Sequence, residues 1–496
     1  MRIYFFSFKF VLLLCAIFAI VPFLSAQTNP PAKPRARDLG VPFEGTPGPL
    51  NAITDVSGVT VGDTTLISGE GKLEIGKGPV RTGVTAVLPR GKNSMSDAVF
   101  AGWWSLNGNG EMTGTTWVEE SGFLEGPVMI TNTHSVGVVR DAVIQWRVNH
   151  GQPDPTGYWW SLPIVAETWD GWLNDINGFH VKPEGAFHAI DSARGGPVEE
   201  GNVGGGTGMV CNEFKGGIGT SSRRVEVKGV TYAVGVLVQC NYGRRPNLRI
   251  AGVPVGLEIP EDPAYASASF GQAERGSIIV VVATDAPLLP HQLKRLARRV
   301  SLGLGRDGST SGNGSGDIFI AFSTANPGVE AVDHAVSLQM LPNDLLDPIF
   351  TATVQATEEA VINAMVAAET MTGIDNHKVI ALPHDKLRAV LVPPSAWMTS
   401  QSRITVRSPS ACMSTTERRL RPISRWISCV RPPIFPRSLS RGVRVTVDRG
   451  SIAYSAVTQP RPELRIHPGT PCSTVAQVST RVLPMATSTA PSAVCT

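Results

Sequence analysis

The chain has 496 residues, 42% of them hydrophobic and 17% charged, which is enough to bury a large core. Its net charge of +3 hides two opposite parts. From residue 401 onward 14 arginines and no lysine face three acids, Glu417, Asp448 and Glu463, whereas the rest carries 30 basic and 38 acidic residues. A mildly acidic body argues against a nucleic-acid partner. With only Cys211 and Cys240 in the central region, and no HExxH or Cys/His cluster, the sequence also argues against a disulfide scaffold or a zinc site.

In chain order, Arg2 and Lys9 precede an apolar run from Phe10 to Leu24, with small residues at Ser25 and Ala26. This pattern predicts a secretory signal over residues 1–26, cut after Ala26, and therefore a periplasmic or secreted protein with no membrane anchor once the signal is removed. Residues 27–45, rich in Pro, Lys and Arg, read as a linker. Residues 46–390 read as one domain. Short β-favouring runs recur there at Val59–Val61, Thr82–Leu88, Val128–Thr131, Val225–Ala233, Gly235–Gln239, Ser277–Ala283 and Ile318–Phe322, punctuated by Gly, Asn and Pro. Apolar spacing predicts helices over about 136–148, 287–302 (with Asp285 as N-cap) and 358–371. Clustered strands with long helices indicate a layered α+β fold. Residues 391–496, dominated by Arg, Ser, Pro and Thr, read as a disordered tail, and a frameshift in a GC-rich gene produces that composition.

The run Asp307–Asp317 is the densest chemical signal. Gly314 and Gly316 flank Ser315, and a strand begins at Ile318, so an exposed hydroxyl would sit on permissive backbone with a rigid element behind it. If the chain is cut before Ser315, the freed α-amine, with a pKa of about 7.7–8.0, can serve as the base. A flexible surface loop is the plain alternative. Thr357-Glu358-Glu359 reads as the opening of a helix, where Thr357 and Glu359 either relay a proton or act as N-cap and dipole partners.

The glycine run Gly201–Gly208 could form an anion nest, and Glu200 beside it or Glu111 in Asn107-Gly-Asn-Gly-Glu111 could bind a substrate ammonium. Asn241, after a strand, is a candidate oxyanion donor or a turn residue. Trp103, Trp104 and Trp117 wall a pocket or pack the core.

The segments Gly48–Val59, Gly78–Thr85, Gly201–Met209, Phe214–Thr220 and Asn313–Asp317, in this order, resemble the DmpA-like family of L-aminopeptidase/D-esterases and β-aminopeptidases over about residues 35–387. The resemblance implies an α+β fold, a four-layer αββα sandwich similar to Ntn hydrolases with different connectivity. It also implies self-cleavage between Gly314 and Ser315 and homo-oligomers of processed α/β units. By resemblance Ser315 is the nucleophile, Thr357 and Glu359 form a hydroxyl-x-Glu pair, and Glu200 holds the substrate amine. The substrate is then a small peptide, amino-acid amide or ester, and no metal or organic cofactor is required. The competing expectations are an amidase or esterase without self-cleavage, an exported small-ligand binding protein, and an inactive product of the altered C-terminus.

Overall fold

The computed structural model describes residues 33–151, 160–265, 274–330 and 333–391, together with two short strands at 445–448 and 451–454. The signal segment and most of the tail lie outside the described residues. The chain divides into two units, Met1–Thr405 and Val406–Thr496, and in the second the two described strands, Val445–Asp448 and Ser451–Tyr454, pair antiparallel.

Two sheets organise the first unit. The smaller is built from β1 (Thr60–Ser68), β2 (Val80–Lys92), β5 (Val128–Asn132) and β6 (Ile164–Thr168), in that order. The larger joins β3 (Val99–Gly108), β4 (Phe123–Leu124), β9 (Gly217–Val227), β10 (Val230–Asn241), β11 (Arg275–Thr284) and β12 (Gly314–Ser323) in the order β4-β3-β12-β11-β10-β9. A small hairpin of β7 (Val210–Cys211) and β8 (Phe214–Lys215) lies between β6 and β9 in sequence. The helices are α1 (Thr115–Ser121), α2 (Val136–His150), α3 (Pro183–Asp191), α4 (Val255–Glu258), α5 (Pro290–Arg306), α6 (Asp347–Val366) and α7 (His384–Leu391).

Strand alternation makes the layers, because successive side chains point to opposite faces. On one face of the larger sheet, Val236, Val238, Val280, Val282 and Phe319 meet Leu296, Val300, Ala360 and Ala364 of α5 and α6. On its other face, Leu237, Ile279, Val281, Ile318 and Ile320 meet Val87, Val128, Ile130 and Ile164 of the smaller sheet. That sheet turns Val84, Ala86, Met129 and Val165 toward Val139, Val143 and Ile190 of α2 and α3. The result is the αββα sandwich. Gly219 permits the close approach of α6, since a Cβ there would lie 2.1 Å from the Ala360 carbonyl oxygen.

Three expectations change. Residues 33–45 are not a free linker: Ala36, Leu39 and Val41 are buried in the core, and Arg35 and Arg37 pair with buried acids. The helix expected from 358 starts eleven residues earlier at Asp347, with Pro348 in its first turn. Thr357, Glu358 and Glu359 therefore lie mid-helix. Asp285 does not cap α5, which begins at Pro290; its carboxylate instead accepts the Ala233 N–H at 2.7 Å.

Cys211 and Cys240 form a disulfide, 29 residues apart, that ties β7 to the end of β10. Closing a loop of this length in the unfolded chain corresponds to about 3–4 kcal/mol in the chain-entropy account. Replacing both cysteines with alanine is expected to lower the free energy of unfolding by about that amount, read from denaturant titration with m fitted separately for each protein.

Candidate active site

Ser315 is the second residue of β12 and is fully buried. Its Oγ donates to Asp317 Oδ1 at 2.6 Å, and Ser311 Oγ donates to the other carboxylate oxygen at 2.5 Å. Burial pushes the Asp317 carboxyl above its ordinary pKa, while the two hydroxyl donors pull it back. The turn before Ser315 is clamped from β3 and the loop after it. Asn109 Nδ2 donates to the Gly314 carbonyl at 2.8 Å and Asn107 Nδ2 to that of Gly312 at 2.6 Å. Gly316 makes this contact possible, because a Cβ there would lie 2.3 Å from the Asn109 carbonyl oxygen.

The pairing of neighbouring strands brings a second serine to the same place. β11 and β12 run parallel with Gly276 opposite Ser315 and Ser277 opposite Gly316. On the other side of β11, antiparallel pairing sets Asn241 opposite Ser277. Ser277 is 3% exposed, and Gly276 before it has φ +143, with room for no side chain: a Cβ would lie 2.1 Å from the Asn241 carbonyl oxygen. The Asn241 side chain accepts the Val210 N–H at 2.8 Å and gives one amide hydrogen to the Trp169 carbonyl at 2.9 Å. Ser277, which the sequence reading placed only within a strand, is thus set between Asn241 on β10 and Gly316 on β12, the residue between Ser315 and Asp317. The preceding glycine was its one sequence signal.

The acids expected to act at the site divide. Glu200 is locked, with its carboxylate 2.7 Å from Arg35 Nε and accepting the Thr220 N–H at 2.8 Å. Burial raises its pKa and Arg35 lowers it. Glu111 is exposed and contributes only its backbone N–H, donated at 3.0 Å to Glu167 Oε1. Glu167 on β6 is a buried acid that the sequence reading did not single out. It is 4% exposed, accepts a bond from Thr133 Oγ1, and lies beneath Gly110, the glycine that packs on Gly316. Burial pushes its carboxyl above the ordinary value, and the Thr133 bond opposes this. An apolar strand (Ile164-Val-Ala) ending in an acid was the available cue.

Thr357 and Glu359 belong elsewhere. Thr357 Oγ1 donates back to the Thr353 carbonyl of its own helix at 2.8 Å. Glu359 is fully buried and held by Arg37 at 2.7 Å, Arg223 at 2.8 Å and Asn51 at 2.6 Å. Arg223 is on β9, three strands from β12. The glycine run is not an anion nest either. The N–H groups of Gly204 and Gly205 are taken by Thr65 and Thr85, and the carbonyls of Met209 and Gly216 accept from the buried Lys215 ammonium at 2.8 Å each. Burial holds the Lys215 pKa well below its ordinary value. Trp103 packs in the inter-sheet core, Trp104 lies under the Arg298 guanidinium at 4.1 Å, and Trp117 donates to Glu125 at 2.8 Å.

Residues 51–379 match Peptidase family S58. The chain belongs to that family. It is 61% identical over 368 residues to the beta-peptidyl aminopeptidase BapA of Sphingosinicella microcystinivorans, covering 72% of this chain and 92% of that protein. BapA of Sphingosinicella xenopeptidilytica is 51% identical over 377 residues, 74% of this chain and 93% of that one. Among solved structures, the L-aminopeptidase D-Ala-esterase/amidase of Ochrobactrum anthropi is described as a prototype for the serine aminopeptidases and a new variant among the Ntn hydrolase fold. It matches with a TM-score of 0.68 at 50% identity, over 72% of this chain and 98% of that chain. A Burkholderia sp. beta-aminopeptidase matches with a TM-score of 0.66 at 44% identity, over 73% and 100%. The expected family, sandwich fold and aminopeptidase class therefore stand.

Glu359 is expected to be structural. Glu359→Gln leaves Arg37 and Arg223 without a buried counter-charge and should destabilise the fold by about 3–5 kcal/mol in denaturant titration. A loss of turnover at unchanged stability would contradict this.

A pH effect follows from Asp170, fully buried beside Trp169, with a carboxyl lifted by burial from 3.8 to about 7 against its side-chain bonds to Thr82, Asn174 and Asn132. The folded state keeps a proton that the unfolded chain releases lower down. This contribution to stability is complete below about pH 4 and is lost as pH rises toward 7. Asp170→Asn is expected to flatten that part of the stability–pH curve, measured by thermal unfolding.

Proposed function

We propose that the protein is an exported serine aminopeptidase that cuts its own chain at a Gly–Ser bond and then releases amino-terminal residues through an acyl-enzyme. The signal-like leader and the buried Cys211–Cys240 disulfide, suited to an oxidising compartment, support export to the periplasm or beyond. Homo-oligomers of processed units are part of the same reading.

In the self-cleavage step, a serine Oγ attacks the carbonyl of the preceding glycine, the C–N bond breaks as the peptide nitrogen takes up a proton, and water hydrolyses the resulting ester. The freed α-amine then takes the proton from the same Oγ as it attacks a substrate carbonyl. With Ser315 in this role, as expected from the sequence, the Asp317 carboxylate is the base in hand and the Asn109 amide polarises the Gly314 carbonyl.

A second reading uses more of the geometry, and we favour it: the cut falls between Gly276 and Ser277. The observation that carries it is the hydrogen-bonded Ser315–Asp317 pair on the strand next to Ser277, with Gly316 between them opposite that serine. A hydroxyl and a carboxylate two residues apart are what the resemblance called for at Thr357 and Glu359, whose side chains are engaged elsewhere. Ser277 is then the nucleophile, Ser315 and Asp317 manage its proton, and Asn241 offers its remaining amide hydrogen to the oxyanion. Glu167, in place of Glu200, holds the substrate ammonium. Substrates are small peptides, amides or esters with a free amino group; β-aminoacyl peptides, for which the BapA relatives are named, are the first to assay.

Mass spectrometry of the purified protein distinguishes the readings. The favoured cut yields a smaller chain beginning Ser277-Ile-Ile, and Ser277→Ala should leave one uncut, inactive chain. A fragment beginning Ser315-Gly-Asp would return the nucleophile to Ser315. An active protein that remains one chain would instead favour an amidase or esterase without processing, and ligand binding that survives in both serine variants would favour a binding protein.

A further inference from the structure

Two exposed aromatic groups flank Glu167, and the fold holds both at some cost. Trp169 follows Glu167 by two residues and leaves β6 on the same side by strand alternation. It is 39% exposed, and its ring lies against the backbone at Gly171, where a Cβ would come within 2.6 Å of the indole. Its carbonyl is fixed by Asn241, the neighbour of Ser277.

On the other flank, Thr133 bonds Glu167 and is followed by His134, whose ring stacks on Phe179 with centroids 6.1 Å apart. Phe179 is 57% exposed and sits at φ +50, a conformation that is an outlier for a bulky side chain. A core role would bury the ring, and a turn role would favour glycine or asparagine. Strain of this kind collects at functional sites. The turn that enforces it is fastened by Asp175, which bonds His180 at 2.9 Å and accepts the Gly178 N–H at 3.1 Å through its backbone carbonyl.

We infer that His134, Phe179 and Trp169 form the subsite for the side chain of the residue whose amine Glu167 holds, and that this subsite selects apolar, above all aromatic, side chains. The inference rests on the aminopeptidase reading with Glu167 as the amine anchor. An ammonium at Glu167 places the adjoining side chain between the two aromatic flanks, which offer ring faces.

The test compares phenylalanine and alanine p-nitroanilides and their β-homo counterparts on the mature enzyme. Phe179→Gly keeps the left-handed backbone accessible, and Trp169→Ala removes the other wall. Each is expected to lower kcat/KM for the phenylalanyl substrates about tenfold to a hundredfold, mostly through KM, and for the alanyl substrates by less than about threefold. Equal losses on both side chains, or an unchanged ratio, would overturn the subsite. Glu167→Gln separates the two layers of the argument. If it spares both substrates while Phe179→Gly still shifts the ratio, the amine anchor fails and the subsite stands. If it depresses both equally while Phe179→Gly leaves the ratio untouched, the anchor stands and the subsite fails.

Discussion

The parallel pairing of β11 with β12 is the constraint on which the site depends. Parallel strands need a crossover, and α5 supplies it, so the two strands start at the same end of the sheet. Each carries a glycine-serine step at or next to its start, and the register sets these steps beside each other with an offset of one residue. The close packing around them demands glycine at 276 and 316, where any side chain would meet the backbone of Asn241 or Asn109. The two Gly–Ser steps thereby lie on neighbouring strands at one end of the larger sheet, and Glu167 of the smaller sheet lies against Gly110, which packs on Gly316.

The same economy of buried charge accounts for the partners of the other buried acids. A buried carboxylate persists where it is paired and hydrogen-bonded. Glu359 has Arg37, Arg223 and Asn51, and Glu200 has Arg35 and the Thr220 N–H. Both acids therefore fasten the N-terminal arm and α6 to the edge strand β9. Arg35 and Arg37 come from the segment whose Pro-, Lys- and Arg-rich composition suggests a tether. Composition reports local solubility, whereas the positions of buried counter-charges are set by contacts between residues more than 150 apart in the chain, such as Arg35 with Glu200.

Much of the fold was legible because it rests on local periodicity. The short β-favouring apolar runs at 235–239, 277–283 and 318–322 and the helical spacing at 136–148 all correspond to observed elements. Helix starts were less legible. Asp347-Pro348 opens α6, but the β-branched residues Thr351, Thr353 and Val354 weaken the helical pattern there, and the acid pair at 358–359 imitates a beginning. At the site, the sequence located the Gly-Ser-Gly-Asp step and Asn241 but not their partners. Ser277 and Glu167 lie in strands whose apolar neighbours conceal them; strand register sets Ser277 on the strand beside Ser315, and only the packing of Gly110 brings Glu167 near Gly316.

For the proposed self-cleavage, register also bears on which serine would attack. The turn before Ser315 is held by Asn107, Asn109, Glu274 and Asp317 acting on Gly312, Gly314, Thr310 and Ser311. Breaking the bond before Ser315 would place a new charged amine inside that network, where the Gly312 carbonyl already takes the Ser315 N–H at 2.8 Å. Ser315 Oγ, for its part, points its proton at a carboxylate on its own strand, an arrangement suited to relaying a proton for a neighbour. Gly276 departs from ordinary extended backbone, and the bond after it faces Asn241 on one side and the Ser315–Gly316 step on the other. A cut there would leave its new amine beside the hydroxyl and carboxylate that can exchange a proton with it. The asymmetry between two adjacent Gly–Ser bonds is thus one of surroundings: one is built into a hydrogen-bonded turn, and the other lies between the groups able to act on it.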